Sequence, residues 1–368
     1  MGIDQVEHFS ADFGDARARF LRAAEKRRAV CFAYPIGPRG PHGEELCVDV
    51  AYVGPRDPGA VLVVSSGLHG VEGFAGSAIQ HQLLTAQLDG LALPRAAGLL
   101  LVHALNPFGF ATLRRVNEGN VDLNRNFLRH PDEHVPNPDY DHLYAAINPE
   151  TLDETEEQQA LQALRAFVGE HGARRLQEVV SAGQYEHPRG MQFGGHHEEA
   201  SNRIARQIVR EHVRGTRAAW VDVHTGLGAY GDFVMLTAMG GESPAVRRGR
   251  AWYGAAAQSV SDGGAVATMC RGSSDLGLAT EFDPACTVTF FAQEFGTYDP
   301  TRVFGAMRAD NWLQFHGDAD SERGRVIKAE LREVFCPADP AWQRRVLDGG
   351  ARVIQQACEG LASDRREE

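Results

Sequence analysis

Four short, continuous apolar runs constrain the fold of this chain more than any other feature of its sequence. They lie at 61–66 (Val-Leu-Val-Val-Ser-Ser), 99–102, 220–223 and 288–292. Continuous runs, unlike alternating ones, are typical of strands buried on both faces of a largely parallel sheet. Apolar residues at helical spacing occur between and after these runs, at 73–88, 156–180, 202–213 and 341–361. Strands that alternate with helices predict an α/β protein, with a mixed, mostly parallel central sheet and helices on both faces.

The size and composition of the chain favour one domain. Its 368 residues, 43% hydrophobic and 23% charged, are enough to bury a large core without disulfide bonds. No internal repeat or linker divides the sequence, so we predict a single domain over 1–368. Residues 129–160 are rich in Pro, Asp, Glu and His and are expected to form a surface insertion or lid. Residues 362–368 are expected to fray as a terminal tail.

The charge and the distribution of apolar residues exclude several partners. A formal net charge of -12 argues against a nucleic-acid partner, because duplex binding requires a basic face. The first residues show no basic segment followed by an apolar run, and no uncharged stretch approaches the ~20 residues that span a bilayer. Six cysteines are scattered without a CxxC pair, as expected for small buried side chains. We therefore expect a cytoplasmic protein without a membrane partner. The sequence does not indicate its oligomeric state.

Polar side chains stand where each predicted strand ends. His69 lies just past the first strand, Asn106 just past the second, His224 at the end of the third and Glu294 at the end of the fourth. In open α/β sheets, ligands bind beyond the carboxyl ends of the strands. We therefore expect these four residues to lie near one another at one edge of the sheet.

Two of these residues, His69 and His224, suggest a metal site together with Glu72. His69 and Glu72 are three residues apart on a segment with glycines at 67, 70 and 73, which allow a tight turn. His224 follows far downstream. Two imidazoles and one carboxylate, with the last ligand distant in sequence, are typical of a catalytic zinc centre that keeps one open position. The sequence therefore predicts a metal-dependent hydrolase.

The order of motifs resembles that of the M14 zinc carboxypeptidase family. The matching segments are His69-Gly-Val-Glu72, Asn106-Pro-Phe-Gly109, Asp122-Leu-Asn-Arg-Asn126, His224 and Glu294, and the resemblance covers roughly 60 to 300. The flanking segments 66–74 and 183–195 are similar to the M14-like branch called DUF2817. The resemblance implies one zinc ion per chain, held by His69, Glu72 and His224, with room for a water.

The same resemblance implies the catalytic residues. Glu294 matches the general base, and its apolar neighbours Phe291 and Phe295 would raise the pKa of its carboxyl. Arg115 matches the arginine that stabilises the oxyanion, although the adjacent Arg114 is an alternative. A fixed cation beside developing charge is worth several kcal/mol in such sites.

The resemblance also implies substrate-binding and supporting residues. Asn124 and Arg125 match the pair that grips the terminal carboxylate of a substrate, and a guanidinium suits that task because it binds carboxylate in a bidentate fork. Asp122 matches the aspartate that orients the first zinc-binding histidine. Asp222 shares the strand face of His224 by period two, but we assign it no role from sequence.

Three functions remain open at this point. The first is a carboxypeptidase-like peptidase that acts on a peptide or small-molecule substrate with a free carboxylate. The second is an N-acyl amino acid amidohydrolase of the aspartoacylase or succinylglutamate desuccinylase type. The third, less favoured because no expected residue is missing, is an inactive metal-binding module. The substrate-capping tyrosine of carboxypeptidases cannot be assigned among Tyr230, Tyr253 and Tyr298.

Two decoy motifs can be set aside. Gly226-Leu-Gly-Ala-Tyr-Gly231 spells a nucleotide-binding fingerprint, but that fingerprint requires a helix to begin there. The following segment, 232–237, is instead predicted to be a strand. His196-His-Glu-Glu199 is interpreted as a polar loop rather than a second metal site.

Overall fold

An eight-stranded sheet forms the centre of the molecule. The computed structural model describes residues 5–128, 133–262, 267–270 and 272–363. The strands are β1 (Val30–Arg39), β2 (Glu45–Val53), β3 (Ala60–Ser66), β4 (Ala97–His103), β5 (Arg217–Tyr230), β6 (Phe233–Thr237), β7 (Ala257–Ser259) and β8 (Thr287–Gly296). Within the described residues their order is β1-β2-β4-β3-β5-β8-β6-β7. The pairs β3/β4, β3/β5, β5/β8 and β6/β7 are parallel, while β1/β2, β2/β4 and β6/β8 are antiparallel. The predicted mixed, mostly parallel sheet is confirmed.

Helices connect and cover the strands. They are α1 (Phe13–Lys26), α2 (Gly73–Gln82), α3 (Pro107–Ala111), α4 (Pro138–Ile147), α5 (Glu154–His171), α6 (Ala173–Ser181), α7 (Ala200–His212), α8 (Pro244–Tyr253), α9 (Ser274–Ala279), α10 (Pro300–His316), α11 (Glu322–Phe335) and α12 (Pro340–Ser363). Two helices, α8 and α12, pack closely on one face of β8. Gly249 of α8 lies against Phe291, and Gly349 of α12 lies against Phe295. The ring of Trp220 points to the other face, where it contacts Phe282 just beyond α9.

The four apolar runs become the four central parallel strands. Every residue of β3 and β4 is buried, and β5 is buried from its first residue through Gly226. Strands shielded on both faces have no solvent side to mark with polar residues, which is why their sequences are continuously apolar. The central β4-β3-β5-β8 segment of the sheet therefore carries the core and ends at the edge where the candidate site lies.

The helix predicted over 156–180 is in fact two helices. Gly172 separates α5 from α6, and its φ of +85° lies outside the helical region. A glycine adopts that conformation without steric cost, so one helix ends and the next begins here although the apolar spacing continues. The regular α-helix in the predicted 73–88 segment is also shorter than expected, because α2 ends at Gln82. A π-helical turn (Leu83–Gln87) and a 3-10 turn (Leu88–Gly90) follow it.

The segment expected to be an insertion contains helical structure with its own small core. Residues 129–132 lie outside the described residues, and the remainder of 129–160 contains α4 and the start of α5. Buried side chains of this part include Tyr140, Leu143, Ile147 and Ala160. In the expected tail, residues 362 and 363 complete α12, and 364–368 lie outside the described residues. Among the helices that the structure describes, none is both long and apolar enough to cross a bilayer.

Candidate metal centre

The HxxE segment is a tight turn clamped between two parts of the chain. A 3-10 turn, Gly70–Glu72, leads directly into α2. The N–H groups of Gly70 and Val71 donate to the carbonyl oxygens of Arg115 and Arg114. A Cβ at Gly70 would lie 2.1 Å from the carbonyl carbon of Gly109, so only glycine fits at this contact. The turn that carries His69 and Glu72 therefore has a fixed position against the Asn106–Gly109 segment.

Strand pairing brings His224 to the same place. β3 and β5 are parallel neighbours, with Ser66 paired to Val223. Because the carboxyl ends of parallel strands meet at one sheet edge, the turn that follows β3 lies beside the residue that follows Val223. His224 therefore reaches the turn from an adjacent strand.

The three predicted ligands converge on one point. Ligand atoms of His69, Glu72 and His224 all lie within 4.8 Å of one another, and all three residues are buried. The two Nδ1 atoms are 3.3 Å apart; that of His69 lies 2.9 Å from Oε1 of Glu72, and that of His224 lies 3.0 Å from Oε2. Among the described residues this is the one group of three or more side chains arranged to hold a metal ion. The donor set, two imidazole nitrogens and a carboxylate, fits zinc.

The electrostatics of this cluster favour a charged carboxylate. Burial opposes ionisation of Glu72, but the imidazoles of His69 and His224 outweigh it and lower the pKa of the Glu72 carboxyl below its usual value. An ionised carboxylate between two histidines is the state in which this residue can ligate a cation.

Each histidine has a carboxylate on its far side. Nε2 of His69 lies 3.1 Å from Oδ1 of Asp122, and Nε2 of His224 lies 2.9 Å from Oδ2 of Asp222. A carboxylate that accepts from Nε2–H leaves the Nδ1 lone pair free for a metal ion. The structure thus places Asp122 beside His69. It also gives Asp222 the equivalent position at His224, which the sequence analysis had left unassigned.

Of the two candidate arginines, only Arg115 contacts the triad. Its Nη2 lies 2.8 Å from Nε2 of His69, and its Nη1 donates to Asp122. Arg114 instead bonds through Nε to Asp310, at 3.2 Å, and through Nη2 to Asn120. The alternative assignment to Arg114 is therefore disfavoured by position.

Asn124 and Arg125 lie on a short 3-10 turn next to Asp122. Nε and Nη2 of Arg125 donate to the carbonyl of Ser181 at 3.1 and 2.6 Å, and its Nη1 lies 3.4 Å from Oδ2 of Asp122. The side-chain oxygen of Asn124 accepts from the N–H of Ser274. Both side chains already make contacts within the protein, and Arg125 also reaches Asp122, which contacts His69.

Glu294 stands beside His224 on the neighbouring strand. The two residues are in register across the parallel pair β5/β8. Oε1 of Glu294 accepts from the N–H of Leu227 at 3.1 Å. Burial, followed by the nearby charge of Glu72, raises the pKa of the Glu294 carboxyl to about 8.

The glycine-rich segment 226–231 shapes this contact rather than a nucleotide site. Gly226 and Gly228 have φ values of +128° and +111°, within the irregular end of β5. This irregular backbone presents the N–H of Leu227 to Glu294. The following residues form β6, as predicted, so no helix begins at this glycine segment.

The candidate tyrosines and the 196–199 segment contact other parts of the protein. Tyr253 is buried in α8 against Phe291, which is incompatible with a mobile capping role. Tyr230 and Tyr298 lie 5.5 Å apart by ring centre, beyond the end of β8, and remain candidates. The 196–199 segment is a polar loop in which His196 contacts the carbonyl of Tyr185.

Sequence reasoning assigned no role to residues in the 183–195 segment that support the site. Oε1 of Gln192 accepts from Arg115 at 3.0 Å, and the Tyr185 hydroxyl donates to the carbonyl of Arg125. The carbonyl of Phe193 accepts from the N–H of Asp122. The similarity of this segment to the DUF2817 branch was the available signal, but it did not reveal which groups the segment supports.

The fold and the site together define an α/β protein with a His-Glu-His set of potential metal ligands at the strand ends. The chain belongs to the family described as "Protein of unknown function (DUF2817)", whose model matches residues 9–349. A search of curated proteins finds no match.

Solved structures are similar to this chain at low sequence identity. Thrombin activatable fibrinolysis inhibitor has a TM-score of 0.50 and 11% identity, with 95% of this chain and 73% of that chain covered. The bovine form in complex with tick carboxypeptidase inhibitor has a TM-score of 0.49 and 12% identity, with 98% and 99% covered. A Shewanella frigidimarina protein, provisionally described as a succinylglutamate desuccinylase/aspartoacylase, has a TM-score of 0.37 and 17% identity, with 78% and 72% covered.

Proposed function

We propose that this chain is a zinc-dependent hydrolase that cleaves an amide or peptide bond next to a free carboxylate. One observation carries the proposal: the buried ligand atoms of His69, Glu72 and His224 converge, and Glu294 lies in register beside His224. Metal-assisted hydrolysis requires at least a set of metal ligands and an adjacent group, such as a carboxyl of raised pKa, that can accept a proton.

The donor set favours one zinc ion per chain. His69 and His224 would bind it through Nδ1, since their Nε2 atoms face Asp122 and Asp222. Three protein ligands leave a fourth position open, as in catalytic zinc sites. When bound, zinc supplies Lewis acidity, which polarises a carbonyl oxygen and acidifies water.

Glu294 is proposed to accept and return the proton. Its Oε1 is held by the N–H of Leu227, so Oε2 is the atom that would take a proton from water. A pKa raised to about 8 by burial and by Glu72 suits proton transfer near neutral pH. The same carboxyl can then donate this proton to the leaving amine.

Arg115, Asn124 and Arg125 are proposed to bind the anionic parts of the substrate. Both guanidinium groups contact Asp122, which also contacts His69, so both cations lie next to the triad. Arg115 is closer to the ligands and would stabilise charge on the carbonyl oxygen. Arg125, together with the amide of Asn124, would bind the substrate carboxylate.

The test is hydrolysis by zinc-loaded protein. Short peptides and N-acyl amino acids, each with an amidated counterpart, are incubated with the protein, and amine release is measured. Release from peptides with a free carboxylate supports the proposal. Release from N-acyl amino acids alone would replace it with the deacylase function. Zinc bound below one ion per chain after add-back, without release from any substrate, would contradict catalysis altogether.

A further inference from the structure

We infer that Ser65 and Trp220 are positioning residues for His224, acting through Asp222. They form a buried chain of hydrogen bonds that runs from an indole to the imidazole of a proposed metal ligand. The inference rests on the proposed function, because it concerns how the protein prepares His224 to bind a metal ion.

Strand register places the members of this chain together. Trp220, Asp222 and His224 alternate along β5 and therefore project to the same face. Ser65 lies on β3 and is paired in register with Asp222. All four side chains are buried, with Ser65 and Trp220 fully excluded from solvent. The chain of contacts is thus a direct product of the β3/β5 pairing.

The direction of each hydrogen bond follows from the chemistry of the groups. The indole Nε1 of Trp220 can only donate, and it lies 2.6 Å from Oγ of Ser65. Because Ser65 accepts from Trp220, its single hydroxyl hydrogen is free to donate to Oδ1 of Asp222, which is 2.6 Å away. A carboxylate anchored in this way is held to accept, through Oδ2, from Nε2 of His224 at 2.9 Å.

This order of donors determines the ring nitrogen that faces the metal site. With Nε2 carrying a hydrogen toward Asp222, the neutral imidazole has its lone pair on Nδ1, which faces Glu72. The chain therefore fixes the orientation of the His224 ring and directs its Nδ1 toward the metal site.

The first member of the chain is held rigidly. The ring of Trp220 is stacked on that of Phe290, with centroids 4.9 Å apart and an interplanar angle of 6°. These residues are paired in register on β5 and β8, the same two strands that carry His224 and Glu294. Without the Ser65 hydroxyl, the indole N–H and one oxygen of Asp222 would be buried without their partners, which is costly.

The neighbouring serine provides a matched control. Ser66 is also fully buried on β3, but its hydroxyl lies on the other side of the strand and donates to Oε1 of Gln80. Ser65→Ala and Ser66→Ala therefore remove the same atom from adjacent positions of one strand. Only the first breaks the chain to His224.

The experiment measures zinc affinity by competition with a chromophoric chelator, together with the thermal midpoint of the metal-free protein. We expect Ser65→Ala to weaken zinc binding about tenfold, in the range seen when outer partners of metal ligands are lost. Ser66→Ala should bind zinc as tightly as the unmodified protein, and Ser65→Thr, which keeps the hydroxyl, should restore most of the affinity. Trp220→Phe, which keeps a ring but removes the N–H, should lower the affinity in the same direction as Ser65→Ala.

The outcomes separate this inference from the proposed function. Equal zinc affinities for Ser65→Ala and Ser66→Ala would overturn the inference, even if the protein is an active hydrolase. A tenfold difference between them would support it, even if no substrate is hydrolysed. If Ser65→Ala loses affinity only in proportion to a lower thermal midpoint, and Ser66→Ala does the same, the role is structural and the inference is wrong.

Discussion

His224 and Glu294 lie side by side on two parallel strands, in register across β5 and β8. In the proposed function, His224 ligates a metal ion and Glu294 takes a proton beside it. Since strand pairing fixes their separation, their relative position does not depend on a mobile loop. Glu294 is further held by the N–H of Leu227, which follows His224 by three residues. The proposed ligand and the proposed base are therefore positioned by the pairing of β5 and β8.

The first prediction concerns the role of Glu294 as a base. Glu294→Gln should bind zinc with unchanged stoichiometry, because Glu294 is not one of the converging ligands. Its rate of hydrolysis should fall at least ~100-fold, the low end for loss of a general base. Metal analysis and amine release on the same sample test both statements. Turnover comparable to that of the unmodified protein would refute the role.

The second prediction uses the pKa of Glu294 in the metal-free protein. Burial, with the charge of Glu72, raises this pKa from its usual 4.5 to about 8. Between these values the unfolded chain has released the proton while the folded protein keeps it, so the free energy of unfolding falls as pH rises. Glu294→Gln lacks this titration, so its stability should increase relative to the unmodified protein from about pH 4.5 to about pH 8 and then level off.

Urea unfolding of the chelator-treated proteins across this pH range provides the measurement. All other titrating groups are common to both proteins, so the difference between the two curves isolates Glu294. Parallel stability curves would show that the carboxyl is not perturbed in the folded state.

The third prediction separates the role of Asp122 in orienting His69 from its role as a buried ion-pair partner. Asp122→Asn should weaken zinc binding by about 10- to 100-fold, since Asp122 holds Nε2 of His69. It should also destabilise the protein by about 3 kcal/mol, because Arg115 and Arg125 lose a buried anion.

Asp310→Asn is the matched control for this prediction. Asp310 is also buried between two cations, Arg114 and Lys328, but neither contacts the triad. The variant should therefore lose stability while its zinc affinity stays within about twofold of the original. Equal losses of zinc affinity in the two variants would contradict the specific role of Asp122.

The fourth prediction concerns carboxylate recognition. Arg125→Ala should raise KM about 10- to 100-fold for substrates with a free carboxylate, the cost of a lost charged hydrogen bond. Arg125→Lys keeps the charge but not the bidentate fork, so it should recover only part of that loss. Amidated substrates should be affected much less by either change. Equal effects on both substrate types would argue that Arg125 serves mainly to hold the Ser181 carbonyl.

The central strands could be predicted from the sequence, but the outermost strand β1 could not. β3, β4, β5 and β8 contain short, largely apolar runs because both faces of the sheet are covered there. β1 lies at the sheet edge, is largely exposed and contains Pro35 and Gly37, so its sequence shows no strand pattern. The division of the helix over 156–180 depends on the backbone of Gly172, which apolar spacing does not report.

The candidate site could likewise be predicted only in part from the sequence. His69, Glu72, His224 and Glu294 were predictable because each closes a recognisable strand or motif. Asp222 could be placed on the face of His224 by the two-residue period, but its contact with the histidine depends on side-chain orientation. The Ser65–Asp222 contact depends on the register of two strands more than 150 residues apart, and sequence periodicity contains no information on register.

The fifth prediction concerns the contact between the two turns that build the site. Gly70→Ala should destabilise the protein by at least about 2 kcal/mol and weaken zinc binding, because the added Cβ would meet the backbone of Gly109 and Phe110. Backbone atoms cannot swing aside as a side chain can, so the turn carrying His69 and Glu72 must move. Gly305→Ala is the control, since nothing lies within 4 Å of a Cβ at this exposed position of α10. That variant should keep its zinc affinity and gain up to about 1 kcal/mol from higher helix propensity. Thermal unfolding and chelator competition distinguish the two, and a Gly70→Ala protein with unchanged zinc affinity would show that the centre does not depend on this close contact.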